Sequence, residues 1–327
     1  MPNNIKMTSN SRVLLIGSGF MAREYLKVLS SLGNEVIIVG RSVEKIQALK
    51  SDYPNFEYFS GGLYKFLEQH SDIPEFAINA ASINQLRSTS ILLMDAGVKY
   101  IMLEKPGELT LSGLNEIKLK SMECSADVLI AYNRRYYSSI SALKEQVKID
   151  GGITSVHFEF TEWIHTIDPN IYDSEDLKKW IISNSSHVID TAFSLIGIPK
   201  ELCAFVGGKD AITWHPSGSI FTGSGISENN IPFTYHSNWQ GPGRWAIEVS
   251  TNKRKFFLKP MEKLFQQVKG SIAVEEIEVD YNLDLNFKSG LYVQTVSFLT
   301  QNFKDFQSLV DQIKMMPIYN KIGGYKI

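Results

Sequence analysis

Apolar residues are distributed along the chain in two textures. Up to Tyr132, short apolar runs alternate with segments whose apolar residues recur at three- and four-residue steps. That combination predicts strands buried on both faces, each followed by an amphipathic helix. Strands are predicted over 13–16, 36–39, 56–59, 75–80, 100–103 and 128–132, with helices over 21–32, 43–50, 63–69, 86–96 and 111–121 between them. After Tyr132 the texture changes, and a helix over 138–147 leads to Gly151-Gly152. Longer stretches now alternate apolar with polar residues, over 153–163, 202–207, 211–215, 219–223, 231–239, 245–250 and 255–258, separated by Gly, Pro, Asn and Ser. Half-solvated antiparallel strands read this way. Helices over 176–197 and 291–314 interrupt and close this part. The fold class is therefore α/β: a doubly wound parallel Rossmann sheet over 1–132, then an α+β domain over 133–327 with an open, mostly antiparallel sheet.

The turn after the first strand carries candidate chemistry. Gly17-Ser18-Gly19-Phe20-Met21-Ala22 reads G-x-G-x-x-A between a strand and a helix, inside a unit of about 30 residues. Gly17 permits the tight turn, Gly19 lets backbone approach a pyrophosphate, and Ala22 lets the helix pack close to the strand. The helix N-terminus, from Phe20 and Met21 on, offers free N–H groups to phosphates. A dinucleotide is the ligand this context selects; a glycine turn without ligand is the bland alternative. NAD binders carry an acid at the tip of the second strand for the ribose 2′-hydroxyl. Here Glu35 is at the wrong end and Glu44 falls in the next helix, while Arg41 and Ser42 offer a planar fork and a hydroxyl suited to a 2′-phosphate. NADP is favoured, with NAD as the alternative. Ligands of such sheets bind beyond the strand ends, where Gly17, Arg41, Ala81, Lys105 and Asn133 all fall.

Composition narrows the function classes. A chain of 327 residues with 43% hydrophobic residues has room for two cores. A net charge of −2, with no basic run, argues against a nucleic-acid partner. Residues 1–11 are polar and lack the apolar core of a signal peptide, and no run is long enough to span a bilayer, so a cytoplasmic protein without membrane contact is expected. Cys124 and Cys203 stand far apart without metal-ligand spacing, and no metal site is expected. All five tryptophans (Trp163, Trp180, Trp214, Trp239, Trp245) lie in the second half, where sheet core or a subunit interface competes with stacking on a sugar ring.

Four motifs in order make the chain resemble the glucose–fructose oxidoreductase, inositol dehydrogenase and rhizopine-catabolism (Gfo/Idh/MocA) family. They are the glycine turn, Glu104-Lys105-Pro106, Asn133-Arg134-Arg135-Tyr136, and Ser186-His187-Val188-Ile189-Asp190. Ala81-Ser82-Ile83-Asn84 stands where the family often has A-T-P-N, and Arg87 stands where it has His. Gly241-Pro242-Gly243-Arg244-Trp245 is similar to members from surface-polysaccharide clusters. The resemblance implies NAD(P) in the first domain, hydride transfer to or from a sugar, sugar nucleotide or cyclitol, and a homodimer or homotetramer formed through the open sheet. It also implies that Ala81, Asn84, Glu104 and Lys105 line the cofactor. The strands from 231 to 258 are expected to present one apolar face larger than the core of the second domain can cover.

Lys105 and His187 are the candidate catalytic pair. An ammonium at a strand end can hold the oxygen of a carbinol, and an imidazole can move its proton near neutral pH. Structural alternatives are a solvated loop lysine and a satisfied helix histidine. Asp190, one turn after His187, either orients it or meets substrate. Arg134 and Arg135 are candidates for an anionic sugar substituent or for structural ion pairs. Glu104 either holds backbone N–H groups or faces the cofactor ribose. His165, Asp168 and Tyr172 belong to the site or to a surface loop. One departure stands out: the family's acid four residues before the histidine is Ser183 here. Three readings follow: an NADP-preferring oxidoreductase, a non-redox dinucleotide-binding regulator or scaffold, and an enzyme that oxidises and re-reduces its substrate with a retained cofactor.

Overall fold

The computed structural model describes residues 11–326, so all but Ser11 of the polar N-terminal stretch lies outside the described residues. The chain forms two compact units. In the first, strands β1 (Arg12–Ile16), β2 (Glu35–Gly40), β3 (Glu57–Ser60), β4 (Phe76–Asn79), β5 (Tyr100–Glu104) and β6 (Asp127–Ala131) form a parallel sheet in the order β6-β5-β4-β1-β2-β3. Helices α1 (Phe20–Leu32), α2 (Val43–Asp52), α3 (Leu63–Gln69), α4 (Ile83–Asp95) and α5 (Leu111–Glu123) alternate with them. Leu14, Leu15, Ile38, Ile78, Ile101 and Met102 are fully buried, as strands covered on both faces require. The strand order reverses around β1, where the Gly17 N–H donates to the Val39 carbonyl at 2.9 Å and the Ala80 N–H to the Ile16 carbonyl at 2.8 Å. Ligand crevices of doubly wound sheets open at this switch point.

This unit does not end at the sixth strand. It takes in Asn286–Val310, whose helix Leu291–Leu299 packs on α1 and whose short strand Gln307–Ser308 pairs antiparallel with β6. The run predicted as one helix over 291–314 is thus two helices, Leu291–Leu299 and Leu309–Gly323, with an edge strand between. The break falls at Gln301, in the left-handed region at φ 56°, after which Phe303 and Phe306 fold back against Phe298. Apolar spacing stays helix-like across the break because both pieces bury the same residue types.

The second unit comprises Tyr132–Leu285 and the chain from Asp311 onward. After α6 (Ser138–Asp150), strands β7 (Ser155–Glu159), β8 (Pro199–Gly207), β9 (Ile220–Ser227), β10 (Pro232–Asn238), β11 (Ala246–Ser250), β12 (Arg254–Leu258), β13 (Phe265–Val268) and β14 (Glu275–Glu276) form one sheet. Its order is β14-β13-β12-β11-β7-β10-β9-β8, antiparallel except between β7 and β10. Phe158, Phe233 and Tyr235 point to one face, and there Phe158 and Phe233 meet Phe193 from the overlying helix, Ser186–Ile196.

One face of the strands over 231–258 is apolar, as expected, but the core of the unit covers it, so the expected surplus is not there. Strict alternation turns Phe233, Tyr235, Ile247, Val249, Phe256 and Leu258 inward and leaves Thr234, His236, Glu248 and Lys255 outside, the last two as an ion pair. One inner face absorbs the large apolar residues. The strand predicted over 211–215 is instead a pair of turns closed by Ala211 N–H to Gly208 O and His215 N–H to Ile212 O. The helix predicted over 176–197 is interrupted: α7 (Ser174–Lys178) is followed by a wide π-type turn, Ile181–Ser185, and then α8 (Ser186–Ile196).

Candidate active site

The glycine turn of the first unit is built to receive a phosphate-bearing ligand. Gly17 sits at φ +119°, and a Cβ there would lie 2.4 Å from the Ala80 carbonyl oxygen, so glycine is obligatory. Gly19 differs: its φ is −89°, and no described atom lies within 4 Å of where its Cβ would stand. The space a side chain would fill is open in front of the first turn of α1, which carries no acid and no side-chain cap. Its N–H groups and dipole end therefore face this space unneutralised. These residues fit the pyrophosphate of a dinucleotide. Phe20, at the first helical position, is 67% exposed and lies under the Lys288 ammonium at 5.2 Å. Lys288 comes from the recruited segment, and no sequence spacing announces it.

Around the tip of β2 the picture is mixed. Arg41 is exposed. Ser42 caps α2, accepting the Lys45 N–H at 3.1 Å, and donates its hydroxyl to Glu44 at 2.7 Å. That bond holds the Glu44 carboxyl below its usual range, so an ionised acid stands beside Ser42. The sequence places Glu44 in the next helix, but not its side chain back on the cap. At the end of β4, Asn79 is fully buried and its amide donates to Leu86 O, Thr89 Oγ1 and Ser90 Oγ, fixing the entry to α4. Ala81 follows with its N–H toward the Asn79 side-chain Oδ1 at 3.4 Å, and Asn84 accepts the Ser82 hydroxyl at 2.8 Å. Arg87 pairs with Glu108 and Glu116.

Glu104 closes β5 and is 7% exposed. Its carboxylate accepts the Tyr25 hydroxyl from α1 at 2.7 Å and the backbone N–H of Lys105. Burial raises its pKa, while Tyr25, Lys105 and Lys288 pull it back. Of the two roles open to Glu104 in the sequence, holding backbone N–H groups is what this geometry displays. Lys105 follows, half-buried, at the carboxyl end of β5, before Pro106.

The second unit gathers the remaining candidates around α8. His187 is 8% exposed, edge-on to Tyr132 at 5.8 Å and tilted against Trp245 at 6.1 Å. Arg135 and Asp190 form a bidentate pair, Nε to Oδ2 and Nη2 to Oδ1, each 2.7 Å, with Asp190 1% exposed. Both stand among the substrate-binding candidates; their forks are instead committed to each other, which ties the turn Asn133–Tyr136 to α8. Ser183 donates to the Asp176 carbonyl oxygen at 2.8 Å. The buried acid beside His187's helix is Glu162, missed in the sequence because it follows a strand rather than a motif. It accepts Ser185 Oγ at 2.6 Å and Asn184 Nδ2 at 3.0 Å, and burial raises its pKa. His165, Asp168 and Tyr172 are exposed; Asp168 caps a turn at the Asn170 N–H.

Arg134 behaves unlike its neighbour. Its guanidinium lies over the ring of Trp245 at 4.4 Å, and Arg244 lies over the same ring at 4.9 Å and over Trp163 at 4.7 Å. Among the described residues no group of three or more His, Cys, Asp or Glu could hold a metal, and no helix is long and apolar enough to cross a membrane.

Comparison with known proteins agrees with this architecture. The shikimate/quinate 5-dehydrogenase family model matches residues 3–88, the part containing the glycine turn. No curated protein matches the chain by sequence. Among solved structures, an oxidoreductase from Agrobacterium radiobacter in complex with NAD+, L-tartaric acid and magnesium is similar with a TM-score of 0.77, 14% identity and 95% of each chain covered. UDP-N-acetylglucosamine 3-dehydrogenase GnnA from Acidithiobacillus ferrooxidans gives 0.74 at 14% identity over 96% of each chain. A levoglucosan dehydrogenase in complex with NADH and L-sorbose gives 0.74 at 16% identity over 95% of each. At these identities the likeness establishes the fold: a Rossmann sheet joined to a second, mostly antiparallel one.

Proposed function

We propose that the chain is a nicotinamide-dinucleotide-dependent oxidoreductase of the Gfo/Idh/MocA type, acting on a CH–OH carbon of a sugar or sugar derivative. The observation that carries this is the open cradle at Gly19 beside the obligatory Gly17, at the sheet's switch point. The sugar and sugar-nucleotide dehydrogenases with the same fold support the substrate class. The bound cofactor supplies or takes the hydride. Lys105, held by its backbone to Glu104, stabilises the reacting oxygen, and His187 moves its proton. NADP is the cofactor Arg41 supports; Glu44 beside Ser42 is the feature that favours NAD. A homodimer or homotetramer through the open sheet is part of the proposal, with the polar outward face forming a hydrated contact; light scattering that finds only monomer across a wide concentration range would remove it.

A screen of sugars and sugar nucleotides, read at the reduced-nicotinamide absorbance, tests the activity. Lys105→Ala should lower kcat and kcat/KM together in any reaction found. A second reading rests on Ser183, whose hydroxyl is bound to the Asp176 carbonyl where the family has an acid: a dinucleotide-binding regulator without redox turnover. Tight cofactor binding with no reduction on any substrate would favour it.

A further inference from the structure

Trp245 is the centre of a cationic cluster that the proposed hydride chemistry does not use. The loop that delivers it, Gly241-Pro242-Gly243-Arg244, is held close to β7: a Cβ on Gly243 would lie 2.2 Å from Glu159 Oε1 and 3.0 Å from Thr161 Cβ. The Trp163 indole N–H donates to the Gly243 carbonyl at 2.8 Å and fixes the loop from the other side. Arg244 is thereby laid over Trp163 and Trp245, while Arg134, from the turn Asn133–Tyr136, is laid over Trp245 as well. Two guanidiniums on one ring repel, and burial already disfavours the charge of Arg134.

The protein supplies little to answer these charges. Arg134 makes no hydrogen bond or ion pair among the described residues; Tyr137, Glu262 and Glu162 act on its charge only at a distance. Arg244 has one acid near it, Glu162, whose Oε2 lies 3.9 Å away, beyond hydrogen-bond reach, while its Oε1 accepts Ser185 and Asn184. The Nε1–H of Trp245, a residue 7% exposed, is a buried donor without an acceptor. Buried donors in native sites almost always have partners, so the Trp245 N–H without one, beneath two guanidiniums laid over its ring, marks a place where a ligand brings the acceptor. Trp245 also meets His187, the ring centroids 6.1 Å apart.

We propose that Arg134, Arg244 and the Trp245 indole N–H bind an anionic group of the substrate, the carboxylate of a sugar acid or the phosphate of a sugar phosphate or nucleotide sugar. Planar forks and a neutral N–H match carboxylate and phosphate oxygens, and a neutral hexose leaves them unanswered. The assignment rests on the reading of this unit as the substrate side of a dehydrogenase, but its test does not need turnover.

Isothermal titration calorimetry of the full chain with UDP, D-glucuronate and D-glucose, at fixed ionic strength, measures it directly. UDP or D-glucuronate should bind and D-glucose should not; binding of UDP alone assigns a phosphate source, and of D-glucuronate alone a carboxylate. Arg244→Gln, a half-exposed position that leaves the fold intact, should weaken the anion about tenfold or more. Trp245→Phe, which keeps an aromatic face and deletes the N–H, should weaken it severalfold, with the cooperative thermal transition retained. Failure of both anions to bind, or affinities unchanged in both variants, would overturn the site. Anion binding with no hydride transfer on any substrate would uphold the site and remove the dehydrogenase reading. Turnover of neutral sugars with no anion bound would do the reverse.

Discussion

Single residues at the glycine turn separate folding from ligand binding. A methyl group at Gly17 meets the Ala80 backbone at 2.4 Å on a backbone in the left-handed region. Gly17→Ala should therefore destabilise the first unit by about 1–3 kcal/mol and weaken cofactor with it. Gly19→Ala adds the same methyl to open space at an ordinary φ. It should leave the melting temperature nearly unchanged yet weaken dinucleotide tenfold or more, because the methyl occupies the place proposed for the pyrophosphate; cofactor affinity equal to wild type would show that nothing approaches there. Arg41→Asp, at an exposed position, should remove a charge-assisted contact of about 1.5–3 kcal/mol from NADP(H) and leave NADH little changed. Glu44→Gln should shift preference the same way that Arg41 does, toward NADP(H). Parallel titrations with the two cofactors check both. At this scale the residue types are legible in the sequence, and their partners often are not. Arg135 reads equally as an anion fork or an ion-pair partner, and only the fold brings Asp190, 55 residues on, to hold it.

Among elements, the loop before β9 depends on one buried histidine. His215 is 0% exposed; Nδ1 lies 2.8 Å from the Gly218 carbonyl and Nε2 2.7 Å from the Tyr325 hydroxyl, while Trp214, Trp239 and Phe221 surround the ring. The Tyr325 oxygen also accepts the Ile181 N–H, so the last residues of the described chain pin the π-type turn to the loop. Burial pushes the His215 pKa down to about 4, against about 6.5 when unfolded. The imidazole is thus neutral in the fold, and the unfolded chain binds the extra proton. Its contribution is complete above about pH 6.5 and is lost as pH falls toward 4, about 2 kcal/mol by pH 5. Buried Glu104 and Glu162, with raised pKa values, act in the opposite sense, so the measurement is the difference between wild type and His215→Gln. Stability curves of the two from pH 7 to 5 should converge; a constant offset would clear His215. Much of the element plan follows from apolar period alone, as in β1, α1 and β2. The period fails where burial comes from turns, as at Ile212 and His215, and where strands are polar, as in β13 (FQQV).

The first unit is discontinuous in the chain, and the texture change after the sixth strand conceals this. Its core needs the returning segment. Phe76 on β4 stacks on Tyr100 of β5 at 4.8 Å and meets Phe298 edge-on at 5.6 Å, and Tyr100 meets Phe303 at 6.0 Å. Leu291 and Phe298 are fully buried, Leu299 and Phe306 nearly so. Burial of each such side chain contributes roughly 1.5–3 kcal/mol, so losing four removes an amount comparable to the whole stability of a domain. The edge of β6 also loses its partner strand Gln307–Ser308. A fragment ending at Ala131 should therefore lack a cooperative thermal transition and bind apolar dyes. The same fragment with residues 286–310 rejoined through a flexible linker should regain the transition, and, since Lys288 returns to Phe20 at the glycine turn, should bind dinucleotide more tightly than any state of the shorter piece. Scanning calorimetry and cofactor titration of the two pieces decide it. A cooperative transition for 1–131 at the temperature of the rejoined piece would show that the parallel sheet is self-sufficient and that the returning helix is only a covering.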